Sequence, residues 1–200
     1  MPDTHLEPDP IEAPFRPSTV QCYASVGGCI MESTVVRADA SPSAPQQVVV
    51  RSGESLTGAP IRFVGKETFV KLAAGSGKCP ISILEDVSPA RHGPPLHSHE
   101  FEEFFYILSG EFLFEVGGKQ ISTNPGDFVH APSNIPHVFQ NTTNHEARML
   151  VVARPGGIEN YFAELAEKLM TDPNDVAGLN AISLHYGITI LGPPMAARKI

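Results

Sequence analysis

GPPLHSHEFEEFFYILSG, Gly93 to Gly110, carries three of the four residues on which the chemistry of this chain turns, and PGDFVHAPSNIPHVFQN, Pro125 to Asn141, carries the fourth. The first stretch supplies His97, His99 and Glu103 and the second His137, so three imidazoles and a carboxylate fall within 41 residues. Side chains alternate between the two faces of a strand, and 97, 99 and 103 are all odd positions. They share one face if the joint between them keeps the alternation. Glu103 leads into the apolar run FFYILS, which Ser109-Gly110 ends, and EFLFEV follows as a second strand closed by Gly117-Gly118.

The second stretch repeats the pattern. Pro125-Gly126-Asp127 is a turn signal, FVHA a short strand, and Pro132-Ser133-Asn134 a second turn before IPHVFQN. On that last strand His137, Phe139 and Asn141 share a face, and an antiparallel neighbour would bring His137 to the histidine pair. Three neutral imidazoles and one carboxylate suit a divalent first-row ion: iron, nickel, cobalt, manganese, copper or zinc. A His-x-His pair alone is more often a polar strand face than a ligand pair; the surrounding spacing raises its meaning.

That spacing resembles the two motifs of the cupin superfamily. The first runs Gly, five residues, His-x-His, three or four residues, Glu, six residues, Gly, and the chain matches it from His97 through Glu103 to Gly110. The second runs Gly, five residues, Pro-x-Gly, two residues, His, three residues, Asn, and the chain matches it with Gly126, Pro132-Ser133-Asn134, His137 and Asn141. Two positions depart. Arg91 stands where the first motif begins with Gly, and the nearby Gly93 suggests a different opening turn. Asn134 replaces the Gly of Pro-x-Gly, and Asn tolerates left-handed backbone best among the other residues.

The resemblance implies a mainly β fold, a single cupin (jelly-roll) barrel with an N-terminal strand annex and two C-terminal helices. By residues, 1–18 read as a flexible, proline-rich acidic arm. Residues 19–58 read as strands and linker packed on the barrel or on a partner subunit, with a hairpin at Val20–Val26 and Cys29–Val36 and a further strand starting at Val48–Val50. Residues 59–157 form the barrel of about nine short strands, ending on a strand from Ala147 to Arg154, and 158–200 form a helical cap and tail. In IENYFAELAEKLM the apolar Ile158, Phe162, Leu165 and Leu169 recur at helical spacing. Asp172-Pro173 reads as the start of a second helix, with Val176, Leu179, Ile182 and Tyr186 as its apolar stripe and Gly187 as its end. ITILGPP reads as a short tail strand.

Arg-Pro-Gly-Gly before an aromatic-bearing helix, and Tyr-Gly-Ile-x-x-Leu-Gly-Pro-Pro after it, resemble quercetin 2,3-dioxygenase-like cupins over roughly residues 61–194. One motif pair implies a single-barrel member and a homodimer. The resemblance assigns His97, His99 and His137 to the metal and Glu103 either to a fourth coordination position or to a base that takes the proton of a phenolic or enolic hydroxyl. Apolar neighbours on its face, Phe105 and Ile107, would raise a pKa that a nearby cation lowers. Eight of the fifteen aromatic residues lie within 39 positions around the ligands, and alternation points Phe105 and Phe139 into the cavity and Tyr106 outward. Among the other histidines, His130 could line the pocket or sit in the wall, whereas His92 and His145 lie in turn-like sequence expected at the surface.

These features imply a metal-dependent oxygenase, specifically a dioxygenase, acting on an aromatic, flavonol-like or polyketide-like enol. The same metal could instead serve a non-redox isomerase, cyclase or lyase of a small natural product, or organise a pocket that binds without catalysis. Composition narrows the partners. The net charge is −8 with no lysine or arginine cluster, which argues against nucleic acid and favours a small neutral or aromatic substrate. No run of eighteen apolar residues occurs, so no membrane association is expected. The first twenty residues hold four acidic groups and five prolines and do not read as a secretory signal. Three cysteines without a Cys-x-x-Cys point to small buried hydrophobes in a cytoplasmic protein.

Overall fold

The computed structural model describes residues 49–76 and 79–197. The expected hairpin at 20–36 lies outside the described residues, and Val49 and Val50 are not in a strand. Ten strands precede the first helix: β1 (Ile61–Phe63), β2 (Lys66–Leu72), β3 (Ser82–Ser88), β4 (Pro95–His99), β5 (Glu102–Ser109), β6 (Phe112–Val116), β7 (Lys119–Thr123), β8 (Phe128–Ala131), β9 (His137–Asn141) and β10 (Ala147–Arg154). Helices α1 (Ile158–Thr171) and α2 (Val176–His185) follow, then β11 (Ile188–Pro194) and a 3-10 turn, Met195–Ala197.

The strands form two antiparallel sheets, one in the order β1-β2-β3-β10-β5-β8 and the other β11-β4-β9-β6-β7. The fold is a jelly roll of two sheets rather than a closed cylinder. In the first sheet, pairing of Glu103 with Ala153 and of Ala153 with Ser82 fixes which residues point inward. Glu103, Phe105 and Ile107 are buried while Tyr106 and Leu108 are exposed, so β5 keeps strict alternation through the motif. The core between the sheets is aromatic. Phe105, Phe112, Phe114 and Phe139 pack with ring centroids 5.1 to 6.2 Å apart in tilted and edge-on pairs, each burying roughly 2–3 kcal/mol of apolar side chain.

Both departures from the cupin motifs lie in left-handed backbone. Asn134 adopts φ 61°, as the turn requires, and so does Arg91, whose guanidinium donates to Asn144 Oδ1 at 2.9 and 3.1 Å. Arg91 thus stands in left-handed backbone, a conformation that favours glycine. Gly93 serves another purpose: a Cβ there would fall 2.0 Å from the Phe139 carbonyl oxygen, so only glycine lets this segment lie against β9.

The C-terminal elements start close to where the sequence places them, with one correction. Asp172 ends α1, its N–H donating to the Lys168 carbonyl, and Asp175 caps α2 by accepting from Gly178 N at 2.8 Å. Pro173 thus sits in the interhelical turn, because Asp175 supplies the oxygen that the first turn of α2 needs. Val176 lies 65% exposed, so the α2 stripe is narrower than its periodicity implies. Helix α1 is pinned by Glu159, a buried carboxylate that accepts from Ala74 N at 2.9 Å and from Ser82 Oγ. The tail strand β11 joins the second sheet, pairing Ile188 with His99 and Ile190 with His97.

Candidate metal centre and its cavity

Strand β4 holds His97 and His99, flanked by β11 on one side and β9 on the other, where His97 pairs directly with His137. Glu103 approaches from β5 in the other sheet, after the Glu100-Phe101 bend. One donor atom from each of the four residues lies within 4.8 Å of the others. His99, Glu103 and His137 are buried, and the Phe101 ring stacks on His99 with centroids 3.6 Å apart.

Each imidazole is oriented by its own backbone. His97 Nδ1 meets the Pro95 carbonyl at 2.8 Å, His99 Nδ1 the Phe101 carbonyl at 2.7 Å and His137 Nδ1 the Ile135 carbonyl at 2.9 Å. A carbonyl can only accept, so each Nδ1 carries the hydrogen and, in a neutral ring, Nε2 presents a lone pair. The Nε2 atoms of His99 and His137 lie 3.1 and 3.2 Å from Glu103 Oε2. Acceptor therefore faces acceptor unless a positive charge lies between them.

A proton on Nε2 or a bound cation supplies that charge, and without a metal the proton does so. Burial pushes the Glu103 carboxyl up, but hydrogen bonding and charge from His137 and His99 outweigh it and hold the group well below the usual carboxylate range. Burial pushes the His137 imidazole down, and its bond to ionised Glu103 reverses the shift to a net rise. For His97 burial wins, joined by repulsion from His137, and its pKa falls to about 4. Three oriented nitrogen lone pairs around one ionised carboxylate fit a divalent transition metal in donor type, number and orientation.

His97, His99 and Glu103 of the quartet line a cavity of about 360 Å³, within the range of small-molecule sites. Phe105 and Phe139 line it, as alternation implies, and Tyr161, Phe162 and Leu165 of α1 roof it, with Leu179 and Ser183 of α2 beside them. Tyr161 Oη lies 3.2 Å from Ser183 Oγ, tying the two helices together at the roof. Ile107 packs fully buried but in the core, outside the cavity lining. His130 is a correction: it is exposed on the outer face, stacked on Phe104 at 4.7 Å and 3.7 Å from Glu102, because even positions of β5 and β8 face outward. Tyr106 and His145 are exposed as expected.

His92 is the second correction. It is half-buried and lines the cavity together with Lys66 and Asp86, none of which the motifs point to. The hint available in the sequence is Asn141, whose backbone N–H donates to the His92 carbonyl at 2.8 Å and whose side chain donates to the Ser88, Pro89 and His145 carbonyls. Asn141 thereby folds the segment after β3 against β9 and turns His92 inward.

A two-sheet jelly roll with three histidines and a glutamate converging at one end of an apolar cavity defines a metal-site β protein of cupin architecture. Residues 83–153 match the cupin domain family, which supports membership of the cupin superfamily. It is similar to quercetin 2,3-dioxygenase of Bacillus subtilis (strain 168), 38% identical over 72 residues that make up 36% of this chain and 21% of that protein. It is also similar to an oxalate-binding protein of Thermotoga maritima, 40% identical over 58 residues, 28% of this chain and 48% of that one. A crystal structure of a predicted oxalate decarboxylase from Thermotoga maritima superposes with a TM-score of 0.49 at 27% identity, covering 54% of this chain and 98% of that one. The chain thus spans less than half the length of either curated relative. Among the described residues no helix is long and apolar enough to cross a membrane.

Proposed function

We propose that this chain is a metal-dependent cupin dioxygenase acting on a planar aromatic or polyketide-like enol. The observation that carries this reading is the convergence of four donors on one point at the end of a mostly apolar cavity. His97, His99, His137 and Glu103 would hold the ion, and four protein donors leave a five- or six-coordinate metal at least one position for an exogenous oxygen ligand. When bound, the metal would supply Lewis acidity and access to dioxygen chemistry. Glu103, ionised and next to the cavity, is placed to take the proton of an enolic hydroxyl brought within hydrogen-bond reach of its carboxylate. Phe105 and Phe139 would stack the planar ring, and the α1 roof would exclude water around it. The similarity to a quercetin 2,3-dioxygenase supports the choice of substrate class and of redox chemistry.

Oxygen uptake by protein loaded with iron, nickel, cobalt, copper or manganese, with a flavonol as substrate, tests the proposal. Uptake with at least one metal supports it; none with any of the five overturns it. A second reading, binding without turnover, draws on the similarity to an oxalate-binding protein. A small dianion is poorly matched to apolar walls beside an ionised Glu103, and saturable oxalate binding without oxygen uptake would favour that reading.

A further inference from the structure

The cavity has a second polar end. Alternation places Lys66 and Thr68 of β2 and Asp86 of β3 on the same inward face as Glu103, since Glu103 pairs with Ala153, Ala153 with Ser82, and Thr68 with Asp86. Asp86 is four residues along β3 and two strands across from Glu103, a backbone separation of roughly 16 Å at ordinary sheet spacings. Lys66, 6% exposed, lies 2.5 Å from Asp86 Oδ2, and Thr68 Oγ1 donates to Asp86 Oδ1 at 2.7 Å. Both carboxylate oxygens of Asp86 are thus engaged. Lys66 is not similarly satisfied: among the described residues its other neighbours are ring faces, with Nζ 5.3 Å from the Phe63 centroid and 4.5 Å from that of Phe162.

On the same cavity wall, His92 Nδ1 is buried and has no hydrogen-bond partner. Buried polar groups are seldom left unpaired, and an unpartnered imidazole nitrogen beside an ammonium with one anionic partner marks a place where a ligand atom completes the set. The charge state selects the ligand. Asp86 neutralises Lys66, and burial, with the Lys66 charge, holds His92 neutral, so this end carries no net positive charge to attract an anion. A hydroxyl fits, because it can accept from the ammonium and can either donate to or accept from the unpartnered imidazole nitrogen, whichever tautomer the ring adopts.

We propose that Lys66 and His92 form a second subsite that receives a neutral hydroxyl at the end of the substrate remote from the His97, His99, Glu103 and His137 quartet. This rests on the quartet being the reacting end, and it makes the substrate an elongated planar enol with oxygen functions at both ends. Phe63 and Phe162 flank the ammonium, and Asp86, itself held by Thr68, fixes its position.

The test is fluorescence titration of full-length zinc-loaded protein with three probes: 3-hydroxyflavone, which lacks a distal hydroxyl, and 3,4′-dihydroxyflavone and 3,7-dihydroxyflavone, which carry one at either far end. At least one dihydroxy probe is expected to bind about tenfold tighter than 3-hydroxyflavone, the scale of one net hydrogen bond. His92→Phe should reduce that preference to less than about twofold. Because removing Lys66 alone leaves Asp86 unpaired, the double variant Lys66→Met with Asp86→Asn is the companion, and it should lose the preference likewise. Equal affinity for all three probes, a preference that survives both variants, or no binding of any probe overturns the subsite. Hydroxyl preference without oxygen uptake would retain the subsite and remove the dioxygenase, whereas oxygen uptake with equal affinities would do the reverse.

Discussion

The two ends of the cavity are built on opposite electrostatic plans. At the quartet, neutral nitrogens and an ionised carboxylate are aimed at one another, and the arrangement is complete only with a cation at its centre. At the other end the cation is part of the protein: Lys66 and Asp86 neutralise each other, and what remains is hydrogen-bonding capacity without net charge. One end is built to hold charge and the other to read shape and polarity, so perturbing them should give separable results.

The largest expected effect is at the quartet. Glu103→Gln keeps the size of the side chain and removes its charge and its basicity, so turnover should fall about 10²- to 10⁴-fold, the usual worth of a positioned base. Binding of 3-hydroxyflavone should persist. Steady-state oxygen uptake beside fluorescence titration checks both, and unchanged turnover in the Glu103→Gln variant would remove Glu103 from the chemistry.

At the other end the effect falls on stability. Lys66→Met leaves Asp86 buried with Thr68 as its remaining partner, and breaking such a pair from one side costs about 3–5 kcal/mol. The double variant with Asp86→Asn should recover most of that loss, because Thr68 can still donate to the amide oxygen. Urea denaturation of the two variants measures the difference, and similar losses in both would mean that the ion pair is not the unit the structure shows.

These two ends are unequally legible in the sequence, for a physical reason. Metal ligation demands several donors around one point, and strand periodicity allows that only at a few spacings, so His97-x-His99, Glu103 and His137 stand out by count. A hydroxyl subsite imposes no spacing. Lys66, Asp86 and His92 lie on separate segments and meet only through the β2–β3 register and the anchoring of the 88–92 segment by Asn141. Hence His92 reads as a surface turn residue. His130, one of a strand's alternating positions, is undecidable until the β5–β8 register assigns it to the outer face. Strand β11 reads as a tail because its partner β4 lies some ninety residues earlier, and Asp175 loses the cap to Asp172 because Asp-Pro is the stronger local signal.

Metal removal discriminates between the ends more gently. An ion bound only by the native state stabilises it by about 2.7 kcal/mol at a hundredfold excess over Kd. Chelation should therefore lower the melting temperature of the wild type and of His92→Phe equally, while His137→Ala, lacking a ligand, should show little response. Thermal melts with and without added zinc and chelator provide the measurement, and a chelator-sensitive His137→Ala variant would move the metal elsewhere.

The smallest effect should reach both ends together. Gly93 follows His92 directly, precedes His97 by four residues, and lies against the Phe139 carbonyl on the strand that carries His137. A Cβ 2.0 Å from that oxygen cannot be accommodated without moving the 92–95 segment or β9, since all three nearest atoms, on Phe139 and Gln140, are backbone. Gly93→Ala should cost about 1–3 kcal/mol, as overpacking usually does. It should also weaken zinc binding and the preference for a distal hydroxyl, because the same displacement shifts His137 relative to His97 and moves His92 on the cavity wall. Loss at one end alone would show that only one of the two segments yields, and the end affected would identify which backbone is the softer.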